Sequence, residues 1–281
     1  MELWFSEQHT PDVKLSIKVE RQLCGVESGF QRIDVFESPE FGRFLTLDGY
    51  MMLTEKDEFI YHEMMVHVPM AVHPRVRSVL VIGGGDGGIV RELVKYPEVE
   101  RIDLAEIDEQ VVTVCRQYLP GVSCGLEDSR VHIYYEDGMK FVRRGADEYD
   151  LIVVDSTDPF GPGEALFTKE FYGNCYKALR EDGIMVNQHE SPFYEADAKA
   201  CMRAHKRIVE SFPISRVYQA HIPTYPSGHW LFGFASRRYH PVHDLDGERW
   251  LERGIETRYY TPRLHMGAFC LPAYVERLLR K

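Results

Sequence analysis

Four carboxylates close to the ends of predicted strands define the first candidate site. Asp155 ends the run YDLIVVD, and Asp158 follows in a turn rich in proline and glycine. Asp86 lies inside the loop GGGDGG (83–88), and Glu106 ends a further apolar run. Carboxylates gathered at one site suit a positively charged substrate, because each can accept a charge-assisted hydrogen bond from an ammonium group.

The pair Asp155 and Asp158 predicts chemistry on an amine. A primary alkylamine has a pKa near ~10, like lysine, so at neutral pH it is protonated and cannot attack carbon. A carboxylate beside the nitrogen can accept that proton, which typically accelerates a reaction by about 10²–10⁴-fold. Because the same carboxylate also stabilises the ammonium form, we expect Asp155 to need help from Tyr61 or a backbone carbonyl. Asp158 would hold the distal ammonium group, although an aspartate before proline is also common in turns without a ligand.

The glycine-rich loop and Glu106 predict a nucleoside site. Gly83, Gly85 and Gly88 match G-x-G-x-x-G between a strand and a helix, where missing side chains let the backbone approach a ligand. Glu106 can accept hydrogen bonds from ribose hydroxyls. Asp86 is a poor neighbour for a pyrophosphate or for the carboxylate of S-adenosylmethionine, and it suits an ammonium group. A second interpretation is that Asp86 only caps the following helix.

The positions of these side chains require a mostly parallel α/β sheet, because ligands bind at the carboxyl ends of its strands. The apolar patterns predict strands at SVLVIGG, 101–106, VHIYY, YDLIVVD and GIMVNQ, and helices at about 55–72, 109–119, 168–180 and 195–211. This alternation indicates a Rossmann-like sheet with helices on both faces. Short β segments within 13–53 predict a small antiparallel unit before it. We expect an N-terminal β-strand domain at 1–55 and a catalytic domain at 56–281.

Composition narrows the functional classes. The net charge of −11 argues against nucleic acid as the main partner. No apolar run reaches the roughly 18 residues of a membrane span, and the N-terminus, MELWFSEQHT, resembles neither a signal nor a transit peptide. The six cysteines form no C-x-x-C pair. We therefore expect no zinc site and a reducing, cytoplasmic setting.

Motifs along nearly the whole chain resemble those of the spermidine synthases and related polyamine aminopropyltransferases. The matching segments are LDG (47–49), DEFIYHEM (57–64), VIGGGDGGIVRE (81–92), EID (106–108), DG (137–138), DSTDPFGPGEALF (155–167), IPTYPSG (222–228) and YYTPRLHMGAFCLP (259–272). The resemblance implies a methyltransferase-like catalytic domain and a homodimer or homotetramer. It implies decarboxylated S-adenosylmethionine as co-substrate, putrescine as the usual acceptor, spermidine and 5'-methylthioadenosine as products, and no metal or bound cofactor.

The resemblance also implies roles for individual residues. Asp155 would accept the proton, and Asp86 would bind the aminopropyl ammonium group. The other donor contacts would be Gln31, Glu106 at the ribose, Asp137 and Gly138 at the adenine, Pro162 closing over it, and the glycine loop of Gly83, Gly84 and Gly85. The diamine channel would be lined by Tyr61, His62, Asp158, Tyr225 and Gln188.

Some alternatives stay open at the level of sequence. Met52 stands where many members of this family carry glutamine, so the acceptor could also be cadaverine, agmatine or a longer amine. A class I methyltransferase that uses intact S-adenosylmethionine would explain the loop but not Asp86. An NAD-dependent dehydrogenase would leave Asp155 and Asp158 without a role. A polyamine-binding protein without turnover would not need Asp155.

Overall fold

The computed structural model describes residues 2–156 and 166–280 of the chain. Its first strands form two small antiparallel sheets. One is a hairpin of β1 (Leu3–Thr10) and β2 (Val13–Val19), and the other contains, in this order, β3 (Arg21–Glu27), β4 (Arg32–Ser38), β5 (Gly42–Leu47) and β6 (Tyr50–Thr54). These sheets confirm the antiparallel unit that the β segments within 13–53 predict.

A larger, mostly parallel sheet follows. Its strands are β7 (Ser78–Gly83), β8 (Arg101–Glu106), β9 (Val131–Tyr135), β10 (Tyr149–Asp155), β11 (Leu179–Gln188), β12 (Ile214–His221) and β13 (His229–Ser236). They lie in the order β12-β13-β11-β10-β7-β8-β9, in which the five from β11 to β9 are parallel and β13 is antiparallel to both neighbours. The Rossmann-like fold predicted from the alternating strands and helices is thus confirmed.

Helices cover both faces of this sheet. They are α1 (Glu58–Val72), α2 (Gly88–Leu93), α3 (Glu109–Tyr118), α4 (Pro120–Ser123), α5 (Gly138–Val142), α6 (Lys169–Ala178), α7 (Glu195–Ser211), α8 (Gly247–Glu252), α9 (Pro262–Ala268) and α10 (Ala273–Leu279). Successive residues of β7 pack into two different cores: Val79 and Val81 join the core that contains α1, and Leu80 and Ile82 join the core that contains α6. A strand buried on both faces reads as a continuous apolar run. Within the described ranges, no helix is both long and apolar enough to cross a membrane.

Helix α1 is buried on nearly every side. All of its residues except Phe59 are buried, including several polar ones. Buried polar groups need hydrogen-bond partners, so Glu58, Tyr61 and His62 can be accommodated only if other elements supply these partners. Asp57, just before the helix, accepts hydrogen bonds from the backbone N–H and hydroxyl of Thr224, at 3.0 and 2.7 Å. This pair joins the start of α1 to the loop before β13.

Several boundaries differ from the sequence-based prediction. Strand β1 was not expected, because its polar sequence has a β pattern only when it is paired with β2. The helix predicted at 168–180 ends at Ala178, and the strand predicted to begin at Gly183 begins at Leu179. The helix predicted from 55 begins at Glu58. Neither β12 nor β13 was expected; they form an antiparallel pair that extends the large sheet beyond β11, with β12 at the edge.

Candidate active site

A cavity lies at the carboxyl ends of β7, β8, β10 and β11, and residues from the N-terminal sheets complete its wall. The described residues that line it include no lysine or arginine. They include eight acidic side chains: Glu7, Asp57, Glu58, Asp86, Glu106, Asp137, Asp155 and Glu190. These acids outnumber the two histidines of the lining, His9 and His62, and a concave surface with an excess of one sign of charge concentrates ligands of the opposite sign. The cavity therefore suits cationic molecules.

Asp155 lies at the end of β10, and only one of its two carboxylate oxygens accepts a hydrogen bond from the described residues. The Tyr61 hydroxyl donates a hydrogen bond to Oδ1 at 2.6 Å, whereas Oδ2 is buried and has no hydrogen-bond partner among the described residues. Burial and the charge of Asp86 raise the pKa of Asp155 to about 6, against the opposing effects of His62 and Tyr61. A carboxylate whose pKa lies near neutral pH, and which has one oxygen without a hydrogen-bond partner, can accept a proton.

Asp86 lies in the glycine loop and has two partners on one oxygen. The backbone N–H of Gly88 donates to Oδ1 at 2.7 Å, and His62 Nε2 lies 3.4 Å from the same atom. Burial alone would raise the pKa of Asp86, but His62 and the Gly88 amide outweigh it and lower that pKa. Asp86 thus accepts a hydrogen bond at the start of α2 and also lines the cavity, while its contact with an ammonium group stays a prediction.

His62 connects Asp86 to a second carboxylate within α1. Its Nδ1 lies 2.5 Å from Glu58 Oε2. Burial favours neutral imidazole, but Asp86 and Glu58 raise the pKa of His62 to about 10. The two carboxylates therefore favour the protonated ring, in which Nδ1 donates to Glu58 and Nε2 faces Asp86. His62 lines the cavity, as predicted for a diamine contact, and its side-chain partners here are carboxylates of the protein.

Two His–Asp clusters among the described residues have donor atoms close enough to hold a metal ion. One is His62 with Asp86 and Asp155, in which the ring lies between Asp86 and Glu58. The other is His73 with Asp150 and Asp182. There Nδ1 of His73 accepts a hydrogen bond from the backbone of Arg75 at 3.1 Å, which places the proton of the neutral ring on Nε2. A metal-free site stays a prediction.

The glycine loop brings Asp155 and Glu106 close together. Gly83 and Gly84 have φ values of +76° and +70°, which residues other than glycine rarely adopt. A Cβ at Gly83 would overlap the carbonyl oxygen of Asp155, and one at Gly85 would lie 2.9 Å from the Glu106 side chain. Glycine is needed here because both carboxylates pass directly over the loop.

Glu106 is held by backbone donors at the end of β8. Its carboxylate accepts hydrogen bonds from the N–H groups of Asp108 and Gly85, at 2.9 and 3.2 Å. Burial raises its pKa to about 7, which the two amides partly oppose. Gln31 approaches from the N-terminal sheet and donates to Asp108 Oδ2 at 3.0 Å. Asp108, which sequence reasoning did not single out, thus orients a predicted donor contact.

Four further predicted residues line the same cavity. Asp137 caps α5 by accepting a hydrogen bond from the Met139 N–H at 2.8 Å, and Gly138 follows it. Tyr225 donates to the carbonyl oxygen of Met52 at 2.6 Å. The side-chain nitrogen of Gln188 donates to Glu190 at 3.0 Å. The predicted residues Asp158 and Pro162 lie outside the described residues.

Sequence reasoning did not single out four acidic residues of the cavity: Asp57 and Glu58 where α1 begins, Glu190 after β11, and Glu7 in β1. Glu190 lies two residues after the end of β11 and is buried beside Gln188. Its position after a predicted strand was a usable signal, because the other acids occupy equivalent positions. Glu7 lies in β1 and accepts a hydrogen bond from the Met51 N–H at 2.8 Å. Nothing in the local sequence marks Glu7, because only the pairing of β1 brings it to the cavity.

Comparison with known proteins agrees with this geometry. The family model for the spermine/spermidine synthase domain matches residues 58–245, and the model for the spermidine synthase tetramerisation domain matches residues 3–55. The polyamine aminopropyltransferase of Alkaliphilus oremlandii is 67% identical over 281 residues, covering 100% of this chain and 99% of the relative. That of Clostridium beijerinckii is 66% identical over 279 residues, covering 99% and 98%.

Solved structures show the same fold over almost the full length. A spermidine synthase in complex with the transition state analogue AdoDATO has a TM-score of 0.97 and 45% identity, covering 99% of this chain and 95% of that one. The spermidine synthase from Thermotoga maritima has a TM-score of 0.94 and 43% identity, covering 99% and 94%. The first of the two family models spans most of the chain. The chain therefore belongs to the spermine/spermidine synthase family and is a polyamine aminopropyltransferase.

Proposed function

We propose that this protein is a spermidine synthase, which transfers an aminopropyl group from decarboxylated S-adenosylmethionine to putrescine. The acidic cavity is the observation that carries the proposal. The donor has a sulfonium and an ammonium group, and the acceptor is a diamine, so every charge to be bound is positive. A cavity with eight acids among its described lining residues offsets the repulsion between these cations.

The donor would lie across the glycine loop with its nucleoside toward β8 and α5. Glu106 would accept hydrogen bonds from the ribose hydroxyls, and Asp137 and Gly138 would contact the adenine. Asp86 would bind the aminopropyl ammonium group, and its lowered pKa supports this role because it stays an anion. Intact S-adenosylmethionine carries a carboxylate near that ammonium group, which Asp86 would repel.

Transfer would proceed by direct displacement. Oδ2 of Asp155 would accept a proton from the attacking ammonium group, while Tyr61 holds Oδ1. The freed lone pair would attack the methylene carbon next to the sulfonium, and the carbon–sulfur bond would break. Its electron pair would return to sulfur, which leaves as neutral 5'-methylthioadenosine. Because the leaving group is already activated by its charge, the protein contributes mainly alignment and proton transfer.

The acceptor channel would pass Tyr61 and Tyr225 toward Met52. The rings of Tyr61 and Tyr225 lie 6.1 Å apart, and the ring of Tyr225 packs edge-on against Trp230 at 4.7 Å. Aromatic faces bind cations and methylene chains alike. Met52 adds an apolar surface, which supports cadaverine as a second acceptor. Gln188, Asp158 and Pro162 keep the roles that the family resemblance implies.

The assembly would be a homodimer or homotetramer. The match of residues 3–55 to a tetramerisation domain supports an oligomer. Leu3 and Trp4 on β1 are 50% and 55% exposed, and large exposed apolar side chains often mark contact surfaces. We place the domain boundary at 55/56, between the end of β6 at Thr54 and the start of α1 at Glu58.

A competition assay tests the proposed reaction. Purified protein would be incubated with decarboxylated S-adenosylmethionine and equal amounts of putrescine, cadaverine and agmatine, and the amine products separated by chromatography. We expect spermidine as the main product, with less of the cadaverine product. Dominance of another product would reassign the acceptor, and methyl transfer from intact S-adenosylmethionine would contradict the proposed donor.

A further inference from the structure

Buried charges in α1 extend beyond the groups that the proposed reaction uses. Glu58 is buried, and its two carboxylate oxygens accept hydrogen bonds from the guanidinium of Arg91, both at 2.9 Å. The same carboxylate lies 2.5 Å from His62 Nδ1. A buried charge is costly unless it is paired and hydrogen-bonded. Glu58 therefore has a definite arrangement, with Arg91 on one side and His62 on the other.

Charged and titratable groups from several elements face His62. They are Glu58 and Tyr61 from α1, Asp86 from the glycine loop, Asp155 from β10 and Arg91 from α2. Gly88 gives the ring its space, because a Cβ there would overlap the imidazole. The position of the ring is thus determined by packing as well as by charge.

We propose that Glu58 is a positioning residue that keeps His62 protonated against Asp86, so that Asp86 stays an anion and Asp155 alone exchanges the reacting proton. This inference rests on the proposed roles of Asp86 and Asp155. Two buried carboxylates that face one site tend to share a proton. The imidazolium beside Asp86 prevents this, and Glu58 adds to Asp86 the second negative charge that keeps the imidazole protonated.

Arg91 completes the arrangement. Without it, Glu58 could take the proton of His62, since burial disfavours a carboxylate. The hydrogen bonds from His62 and Arg91 overcome burial and lower the pKa of Glu58. The proton consequently stays on His62. Arg91 also contacts Glu92 at 3.0 Å, and Glu92 bonds to His67 rather than to His62.

The first test is an NMR titration of the His62 ring in the ligand-free protein, assigned from the spectrum of His62→Gln. In the wild type we expect His62 to stay protonated until the pH approaches about 10. Glu58→Gln should lower its titration midpoint by about 4 units, to near the pKa of Asp155, since it removes a charged hydrogen-bond partner and leaves burial to favour the neutral ring. Glu92→Gln is the matched control: it also removes a buried carboxylate from Arg91, and it should leave His62 nearly unchanged. A neutral His62 at neutral pH in the wild type, or an unshifted midpoint in Glu58→Gln, would overturn the proposal.

The second test is the pH profile of kcat/KM for the donor. In Glu58→Gln, loss of the imidazolium charge should move the acid side of the kcat/KM profile to higher pH by about 1 pH unit, because that charge lowers the pKa of Asp155. Glu58→Asp should restore part of this shift, and Glu92→Gln should match the wild type. Circular dichroism checks folding; if Glu58→Gln is unfolded, the wild-type titration still decides. Full activity of Asp155→Asn would refute the proposed base and leave the NMR comparison valid for Glu58.

Discussion

Asp155 and Asp86 are both partly buried at the same edge of the sheet, yet their surroundings shift their pKa values in opposite directions. Asp155 has one open oxygen, and burial raises its pKa to about 6. Asp86 faces the His62 imidazolium and a backbone N–H, which lower its pKa despite burial. Titratable pairs whose environments separate their pKa values mark a division of roles. Here one carboxylate suits proton transfer, and the other suits permanent charge.

The first prediction at this scale concerns the base. Asp155→Asn should reduce kcat by at least about 100-fold, because the amide cannot accept the proton of the acceptor amine. Donor affinity should change far less, since the ammonium group of the donor is assigned to Asp86. Steady-state kinetics and a donor-binding titration measure the two effects separately. Near-normal turnover would remove Asp155 from the base role.

The pH dependence follows from the same group. Asp155 must be ionised to accept a proton, and its pKa of about 6 means that the ionised fraction falls as the pH drops below that value. We therefore expect kcat/KM for the acceptor to decrease by about tenfold per pH unit in acid, and to gain nothing from this group above neutral pH. A pH–rate profile that stays flat well below the pKa would contradict the assignment.

The donor preference tests Asp86. Asp86→Asn should weaken binding of decarboxylated S-adenosylmethionine by about 10-fold or more, the usual effect of losing a charge-assisted hydrogen bond. It should also reduce the ratio of the affinity for decarboxylated S-adenosylmethionine to the affinity for intact S-adenosylmethionine, because residue 86 no longer repels the carboxylate of the intact form. Calorimetric titration with both nucleosides measures the ratio. An unchanged ratio would mean that Asp86 acts only on the loop and on His62.

At the scale of elements, the start of α2 and the buried helix α1 depend on each other. Gly88 opens α2 where His62 projects from α1, and Arg91 reaches from α2 back to Glu58. The third glycine of G-x-G-x-x-G therefore makes room for a side chain of the protein itself. The close approach of α1 and α2 is therefore sufficient to explain why residue 88 is glycine, and no ligand contact is needed to explain it.

This packing makes a stability prediction. Gly88→Ala should lower the free energy of unfolding by about 1–3 kcal/mol, because the new methyl group overlaps the imidazole ring. Turnover should fall with it as His62 is displaced from Asp86. Gly121→Ala in α4 is the matched control: a Cβ there meets no atom within 4 Å, so we expect a change within about 0.5 kcal/mol. Urea unfolding measures both, and equal stabilities would refute the packing argument.

At the scale of the whole molecule, segments far apart in the chain close one cavity. Gln31 contacts Asp108, and Tyr225 contacts the backbone of Met52. His9 of the N-terminal hairpin lies 3.0 Å from Asp197 in α7. The N-terminal sheets therefore form part of the site as well as the region that matches a tetramerisation domain.

An oligomer contact through the hairpin can be tested directly. Trp4→Glu places a charge on an exposed apolar side chain of β1, and we expect it to shift the protein to a smaller assembly because a charge is costly in an apolar interface. Light scattering after gel filtration measures the mass. Lys14→Glu, at an exposed polar position of β2, should keep the wild-type mass. An unchanged mass for Trp4→Glu would place the interface elsewhere.

Local sequence alone determined the five parallel strands of the large sheet and three of the acids at their ends. Strands buried on both faces read as continuous apolar runs, and residues at their carboxyl ends meet at one edge, so Asp86, Glu106 and Asp155 could be placed together in advance. The contacts of His62 and the arrival of Glu7 were decided only by the tertiary structure. Periodicity shows which residues are buried but not which partner each will meet, and these partners come from segments that the local pattern does not connect.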